Sequence, residues 1–437
     1  DGTISADYNI GSEWNDYVDT VKISVEGSAA LTDTLFFSGG LNVSSTGVLT
    51  ADSTTNPIVI AGRDSNTDGE NDTLKIAGKF DFPIVSAGSQ PKFVARGDTM
   101  FFNFTSASQS HTIGAKFTED ANGVTNDIVF NVSATSNITS NSADFDGEIQ
   151  VTSTGNTLNF ENVTVVGEVR LDSNATVTSG TFDTLTDSLV VGYSGSFTFA
   201  NDSVDFSSGV RVDSFATLSS GSQTLRFNSN TAGVLYAPSS ANLNGDGIYK
   251  FRTGSNAQSI DVNGNTISNV VFAGDVDVAS KLIVSTLLDV RNAIDLSDTL
   301  SVTGNITLGA DIENDGSDNE NRFIISGSVI TATGNRTVTT LKSLGTSSLT
   351  SNSSTDISLT ITDSLILGGG TFDIGDNTIS FGDASALTTR GGSVTMDDGE
   401  FSFETTSGNN SIFADTKGGS NDSLYVKNIS LSTALTD

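Results

Sequence analysis

Two acidic stretches hold the residues best suited to chemistry in this chain. Asp64-Ser65-Asn66-Thr67-Asp68-Gly69-Glu70-Asn71-Asp72 sets oxygen-bearing side chains at alternating positions, with glycine at the sixth. Asp311-Ile312-Glu313-Asn314-Asp315-Gly316-Ser317-Asp318-Asn319 repeats that spacing. Hard oxygens at the first, third and fifth positions and a sharp turn at the sixth make the first half of an EF-hand-type calcium loop. The twelfth position of such a loop carries a bidentate acid; here it is Lys75 in one stretch and Arg322 in the other, and no helix signature flanks either. The pattern therefore points to calcium loops of the sort inserted in extracellular β proteins. Asp64, Asn66, Asp68, Glu70 and Asp72 form one ligand set, and Asp311, Glu313, Asp315 and Asn319 the other. The alternative is a solvated acidic turn between strands.

For catalysis the chain is poorly equipped. Its one histidine, His111, lies in SQSHTIG, where alternation predicts a strand or strand end. A Ser–His–Asp triad would have to use it, and no serine sits in a nucleophile elbow. There is no cysteine, so disulfides and thiolate metal sites are excluded. Carboxylate pairs abound, but with 52 acidic residues against 20 basic ones proximity selects none of them. A polysaccharide-cleaving β-helix would set calcium-bound carboxylates beside Arg or Lys; here the basic residues are scattered. The expectation is a protein that is not an enzyme.

Fourteen Asn-x-Ser/Thr sequons occur, at Asn42, Asn71, Asn103, Asn131, Asn137, Asn162, Asn174, Asn201, Asn305, Asn335, Asn352, Asn409, Asn421 and Asn428. Each is a glycosylation candidate in a host that modifies such sites. Asparagine also tolerates left-handed turns and can ladder with its neighbours, which gives these residues a structural alternative.

Composition narrows the class. Ser and Thr make up about 27% of 437 residues, with 44 Gly, four Pro, 26 Phe and an apolar share of 36%. That is a thin, regular core rather than a bulky one, yet too apolar for disorder. A net charge of −32 opposes approach to nucleic acid or anionic membrane. No stretch nears the run of about 18 apolar residues that a membrane span needs. Asp1 in place of Met, with abundant Ser, Thr, Gly and Asn, suggests an exported, extracellular or cell-surface protein whose signal peptide has been removed.

The elements that must position these groups are strands. Leu31-Thr32-Asp33-Thr34-Leu35 returns as Leu185-Thr186-Asp187-Ser188-Leu189, Leu296-Ser297-Asp298-Thr299-Leu300 and Ile361-Thr362-Asp363-Ser364-Leu365. Each phrase turns the chain into a strand whose first apolar residue points inward. Period-two alternation runs through 188–227 and 274–312, with pairs such as Phe197/Phe199, Val204/Phe206 and Val210/Val212 separated by Gly, Asn, Asp and Ser turns. Three such strands per turn predict coils of roughly 18–22 residues. Residues 31–43 match 296–308 at an offset of 265, and the two acidic stretches match at 247. The difference of 18 is one coil, the length that can be gained or lost without breaking register.

The predicted fold is all-β, a right-handed parallel β-helix or solenoid over 26–437, carrying acidic insertions near 62–73 and 311–322. Residues 1–25 are expected to be a cap or junction, with a helical turn or a loop over 12–22. Segments 232–259 and 405–422 read as loops or irregular coils. Tandem β-sandwich domains are the alternative architecture.

DTLSVTGNITLGADI (298–312) and GGTFDIGDNTISFG (369–382) resemble bacterial surface β-solenoids such as autotransporter passengers and filamentous-haemagglutinin-like adhesins. The resemblance implies export and a surface role and assigns no functional residue. Open strand edges in the last coil, around Leu424-Tyr425-Val426, would pair with another chain. The expected function is a structural protein that polymerises with copies of itself. A monomeric adhesin binding glycans, and a polysaccharide-active enzyme, stand as alternatives.

Overall fold

A computed structural model describes residues 23–431 apart from 27, 32–34, 38–40, 52–57, 62–71, 77–78, 83–91, 96–99, 105–108, 114–115, 119–127, 133–135, 146–148, 154–156, 166, 173, 180–181, 186, 200–202, 230–232, 253–256, 315–322, 404–409 and 415–428. Among them there is no helix, and the strands stack in parallel as a β-solenoid. The segment 12–22 lies outside the described residues. The chain forms two compact units, residues 1–225 with 240–242, and residues 226–239 with 243–437.

In the first unit the chain visits three parallel ladders in turn. One runs through Ile23–Val25, Leu41–Val43, Asp72–Ile76, Met100–Phe104, Ile128–Val132, Ile149–Ser153, Val169–Leu171, Ser188–Val191 and Gly209–Val212. The next runs through Ser28–Leu31, Val48–Ala51, Lys79–Phe82, Gln109–Ile113, Ser136–Phe145, Thr157–Val165, Thr176–Ser179, Ser196–Phe199 and Thr217–Ser219. Leu35–Phe37, Ile58–Ala61, Lys92–Ala95 and Lys116–Thr118 begin the third, which passes through the far ends of Ser136–Phe145 and Thr157–Val165 to Phe182–Leu185. The first ladder begins at Ile23, inside the segment assigned from sequence to a cap.

Alternation decides which side chains enter the core. Phe197, Phe199, Val204, Phe206, Val210 and Val212 are all buried, while Thr198, Asp205 and Arg211 between them reach the surface. Leu189, Leu300 and Leu365, the last residues of three recurring phrases, are buried as well. The acid of the phrase ties coils together: Asp187 accepts from the Ser208 hydroxyl, and Asp363 Oδ2 accepts from Thr340 Oγ1 at 3.0 Å.

Coils are shortest where corners are tight. In the second unit Val276 pairs with Ile294 and Ile294 with Ile312, two equal steps at the lower end of the predicted range. One such coil comprises Val276–Val278 and then Leu282–Val290, a strand whose two halves serve two ladders. Other coils are longer than predicted. Ile312 pairs with Val338 across the second acidic stretch, and Leu41 pairs with Leu74 across the first. The extra residues lie between described strands, and the ladders keep their register.

Of the two readings of segment 232–259, loop or irregular coil, the strands support the coil. The segment carries Leu235–Tyr236, Asn242–Asn244, Ile248–Phe251 and Gln258–Asp261. Leu235 pairs with Ile260 and Tyr249 with Val270. Small inward residues (Ala237, Ala241, Gly247) occupy core positions there, which flattens the hydropathy pattern. Aromatic rings stack from coil to coil in the second unit: Phe227 on Phe251 at 4.6 Å, and Phe381 on Phe403 at 4.4 Å.

Close stacking demands glycine at one corner in particular. A Cβ on Gly304 would overlap the Thr286 carbonyl group and lie 2.5 Å from Thr286 Cα. All of these are backbone atoms, so relief requires the coils to part. Gly304→Ala is expected to lose about 3 kcal/mol of stability by overpacking, read as a lower urea midpoint; an unchanged midpoint would refute the close approach.

Candidate functional site

The described parts of the acidic stretches belong to strands and their borders. Asp72 opens Asp72–Ile76 and pairs in register with Met100. Asp64, Asn66, Asp68 and Glu70 lie outside the described residues, as do Asp315 and Asn319. Asp311 is half-buried, and its Oδ1 accepts from the Thr337 amide at 2.8 Å, an interaction with the next coil. Glu313 is exposed, mid-strand, and lies in register with Asp295, which in turn pairs with Asp277. These three form an acidic column on one outer face. Among the described residues no group of three or more His, Cys, Asp or Glu side chains could hold a metal ion.

His111 falls in the strand Gln109–Ile113, in register with Ile138. The sequon asparagines divide by position. Asn174, Asn305, Asn335 and Asn352 are exposed, and Asn42 is half-buried. Asn103 pairs in register with Asn131, while Asn137 and Asn162 are strand residues. Asn71, Asn201, Asn409, Asn421 and Asn428 lie outside the described residues. Asn335 Oδ1 already accepts from the Ser358 amide at 2.8 Å, and so has a structural task.

Two buried asparagines that carry no sequon do the most structural work. Asn265 Nδ2 donates to Val262 O at 2.7 Å and to Pro238 O at 2.8 Å. Asn377 Nδ2 donates to Ile374 O at 2.9 Å and Leu349 O at 3.1 Å, and its Oδ1 accepts from the Ile357 amide at 3.1 Å. Each closes a tight corner (Val262-Asn263-Gly264-Asn265, Ile374-Gly375-Asp376-Asn377) and satisfies carbonyls that the turn leaves inside. Sequence reading placed asparagine at turns generally; the signal for these two is the x-Gly-x-Asn or x-Asn-Gly-Asn turn preceding a Thr-Ile strand.

A second set of corners stacks in the first unit. Ala175 N donates to Asp172 O, Gly195 N to Gly192 O and Ala216 N to Asp213 O, closing three successive turns. These turns also bond to one another and onward, Asn174 N to Tyr193 O, Ser194 N to Ser214 O and Phe215 N to Ser240 O. The third residue of each is left-handed: Asn174 at φ 63°, Ser194 at 55° and Phe215 at 60°. Asparagine suits that conformation; a phenylalanine held there costs about 1–2 kcal/mol. Phe215 is moreover 63% exposed and Tyr193 51%, their rings 5.5 Å apart and edge to face.

Toward the C-terminal end of the described residues of the second unit, one inward column ends on an exposed side chain. Leu282, Leu300, Phe323, Leu341, Leu365, Leu387 and Ile412 occupy one inward column. The first six are fully buried, and Ile412 is 50% exposed. Ser393–Thr395, Ser411–Ala414 and Ile429–Leu431 pair backwards with Thr371–Asp373, Ala386–Thr389 and Glu400–Phe403, and no described strand follows them. No protein-family model matches this chain, nor does any curated protein or solved structure.

Proposed function

We propose that this chain is an exported, non-enzymatic structural protein whose solenoids continue into one another, building a filament, sheath or surface layer. The half-exposed Ile412 at the end of a buried column carries the reading. Among the described residues it is the one member of its column that no following side chain covers. Ser393–Thr395, Ser411–Ala414 and Ile429–Leu431 each pair on one side only among the described strands, and their other edges could bond to a further rung. Ile23–Val25, Ser28–Leu31 and Leu35–Phe37 likewise pair in one direction only among the described strands. Strand addition between two such ends is the recognition mode that uses these groups, and repeated head to tail it does not close.

Charge sets the conditions. Subunits of charge −32 repel one another, over a screening length of about 30 Å in 0.01 M salt and about 8 Å in 0.15 M. Calcium at the two acidic stretches would lower that charge further. Electron microscopy and sedimentation of purified protein are the test, in low salt, in physiological salt, with calcium and with a chelator. End-to-end polymers that lengthen with salt or calcium are expected. Uniform particles that never join under any of these conditions would overturn the proposal.

A further inference from the structure

We infer that the corner carrying Tyr193 and Phe215 binds a neutral saccharide, with the two rings as its stacking platform. This site is independent of end-to-end assembly and lies within the first unit. Two large rings left in water on a corner, one of them in a left-handed conformation that bulky residues avoid, are not accounted for by packing or turn chemistry. Asn174 and Ser194, in the equivalent place of the two preceding turns, show what the fold itself accepts there.

The surroundings suit a sugar. Asp172 and Asp213 open the turns on either side of the one bearing Tyr193. Gln150 Nε2 donates to both carboxylate oxygens of Asp172, at 2.8 and 2.9 Å, and Arg211 Nε donates to Asp213 Oδ1 at 2.9 Å. Each carboxylate is thereby fixed in orientation while keeping lone pairs for further donors. Fixed planar acceptors bind adjacent hydroxyls, and the C–H face of a pyranose covers an aromatic ring, so polar and apolar needs are met together. The exposed amide of Asn174 stands one turn away.

Two considerations choose the occupant. A stable protein partner needs about 800 Å² on each side, and two side chains on a corner do not supply it. An acidic glycan would meet two carboxylates here and a net charge of −32 overall. A neutral chain is therefore the ligand class.

The test is affinity electrophoresis of the full chain, made in a host that does not glycosylate it. Native gels would contain mannan, β-1,3-glucan or xylan, with alginate as the acidic control. Retardation is expected in at least one neutral gel and not in alginate. Tyr193→Ala and Phe215→Asn should each weaken it roughly tenfold. Asparagine accepts the left-handed turn, so Phe215→Asn should melt no earlier than the wild type, and a loss of binding then cannot be ascribed to unfolding. Equal mobility in every gel would overturn the inference, as would retardation unchanged in both variants. A wild-type self-association that Phe215→Asn abolishes would overturn it in favour of a contact between copies.

Discussion

Replacing Ile412 with lysine is expected to leave the subunit folded and to stop it joining end to end. In the isolated chain the side chain is half exposed, so a lysine can lay its stem on Leu387 and keep its ammonium in water. In a continued stack the same position would become the interior of a column whose other members are fully buried. An unpaired ammonium confined there costs about 3 kcal/mol or more. That raises the concentration needed for assembly by a factor of roughly 100 or more. Sedimentation against protein concentration reads this directly, with melting temperature as the folding control. Ser354→Lys, on an exposed turn, adds the same charge and should polymerise as the wild type does. Polymers of equal length from all three proteins would dismiss the C-terminal end as the junction.

The second large effect belongs to Asn377. Asn377→Asp keeps the shape of the side chain and reverses half of its chemistry. The amide that donates to Ile374 O and Leu349 O becomes an oxygen facing two carbonyl oxygens, while the acceptor for the Ile357 amide remains. An ionised carboxylate buried against carbonyls is disfavoured, so the introduced group holds its proton in the folded state to a higher pH than in the unfolded chain. Its folded pKa is raised, and the variant is therefore best tolerated below about pH 4, the unfolded value. Stability is lost as pH rises through the folded value. At pH 7 the variant is expected to lose about 3–5 kcal/mol, and part of that should return on acidification when compared with the wild type at each pH. Asn377→Leu leaves the same backbone groups unpaired and should be as damaging at pH 7 without any recovery in acid. Identical pH dependence in the two variants would refute the hydrogen-bonded role.

Much of this fold was legible because the solenoid repeats a local rule. The pairs Phe197/Phe199, Val204/Phe206 and Val210/Val212 announced inward faces through alternation alone, and the structure buries all six. The difference between the two internal offsets corresponds to one short coil, the step from Val276 to Ile294 and again to Ile312. What the sequence obscured follows from the same physics. Around 232–259 Ala237, Ala241 and Gly247 take inward positions between Leu235, Leu243 and Tyr249, and are too small to mark the alternation against a polar background. Corners were harder still, since a turn residue is chosen by backbone conformation and by contacts with the neighbouring coils. Asn377 reaches back to Leu349, and nothing in its own neighbourhood names that partner. Alternation is silent about turns and does not mark Tyr193 or Phe215, although a phenylalanine between Asp-Ser and Ala is itself an anomaly in a turn.

The unequal spacing between paired strands bears on how such a gene can change. Leu300 pairs with a residue 23 positions on, Phe323, whereas Phe323 pairs with one 18 positions on, Leu341, and the rungs remain in step. In-frame duplications and losses between strands are thus nearly invisible to the stack, while a single residue gained within a rung would turn its apolar side outward. Over time the written period blurs while the spatial one holds, and descent in molecules of this kind is better traced through the facing of side chains than through aligned letters.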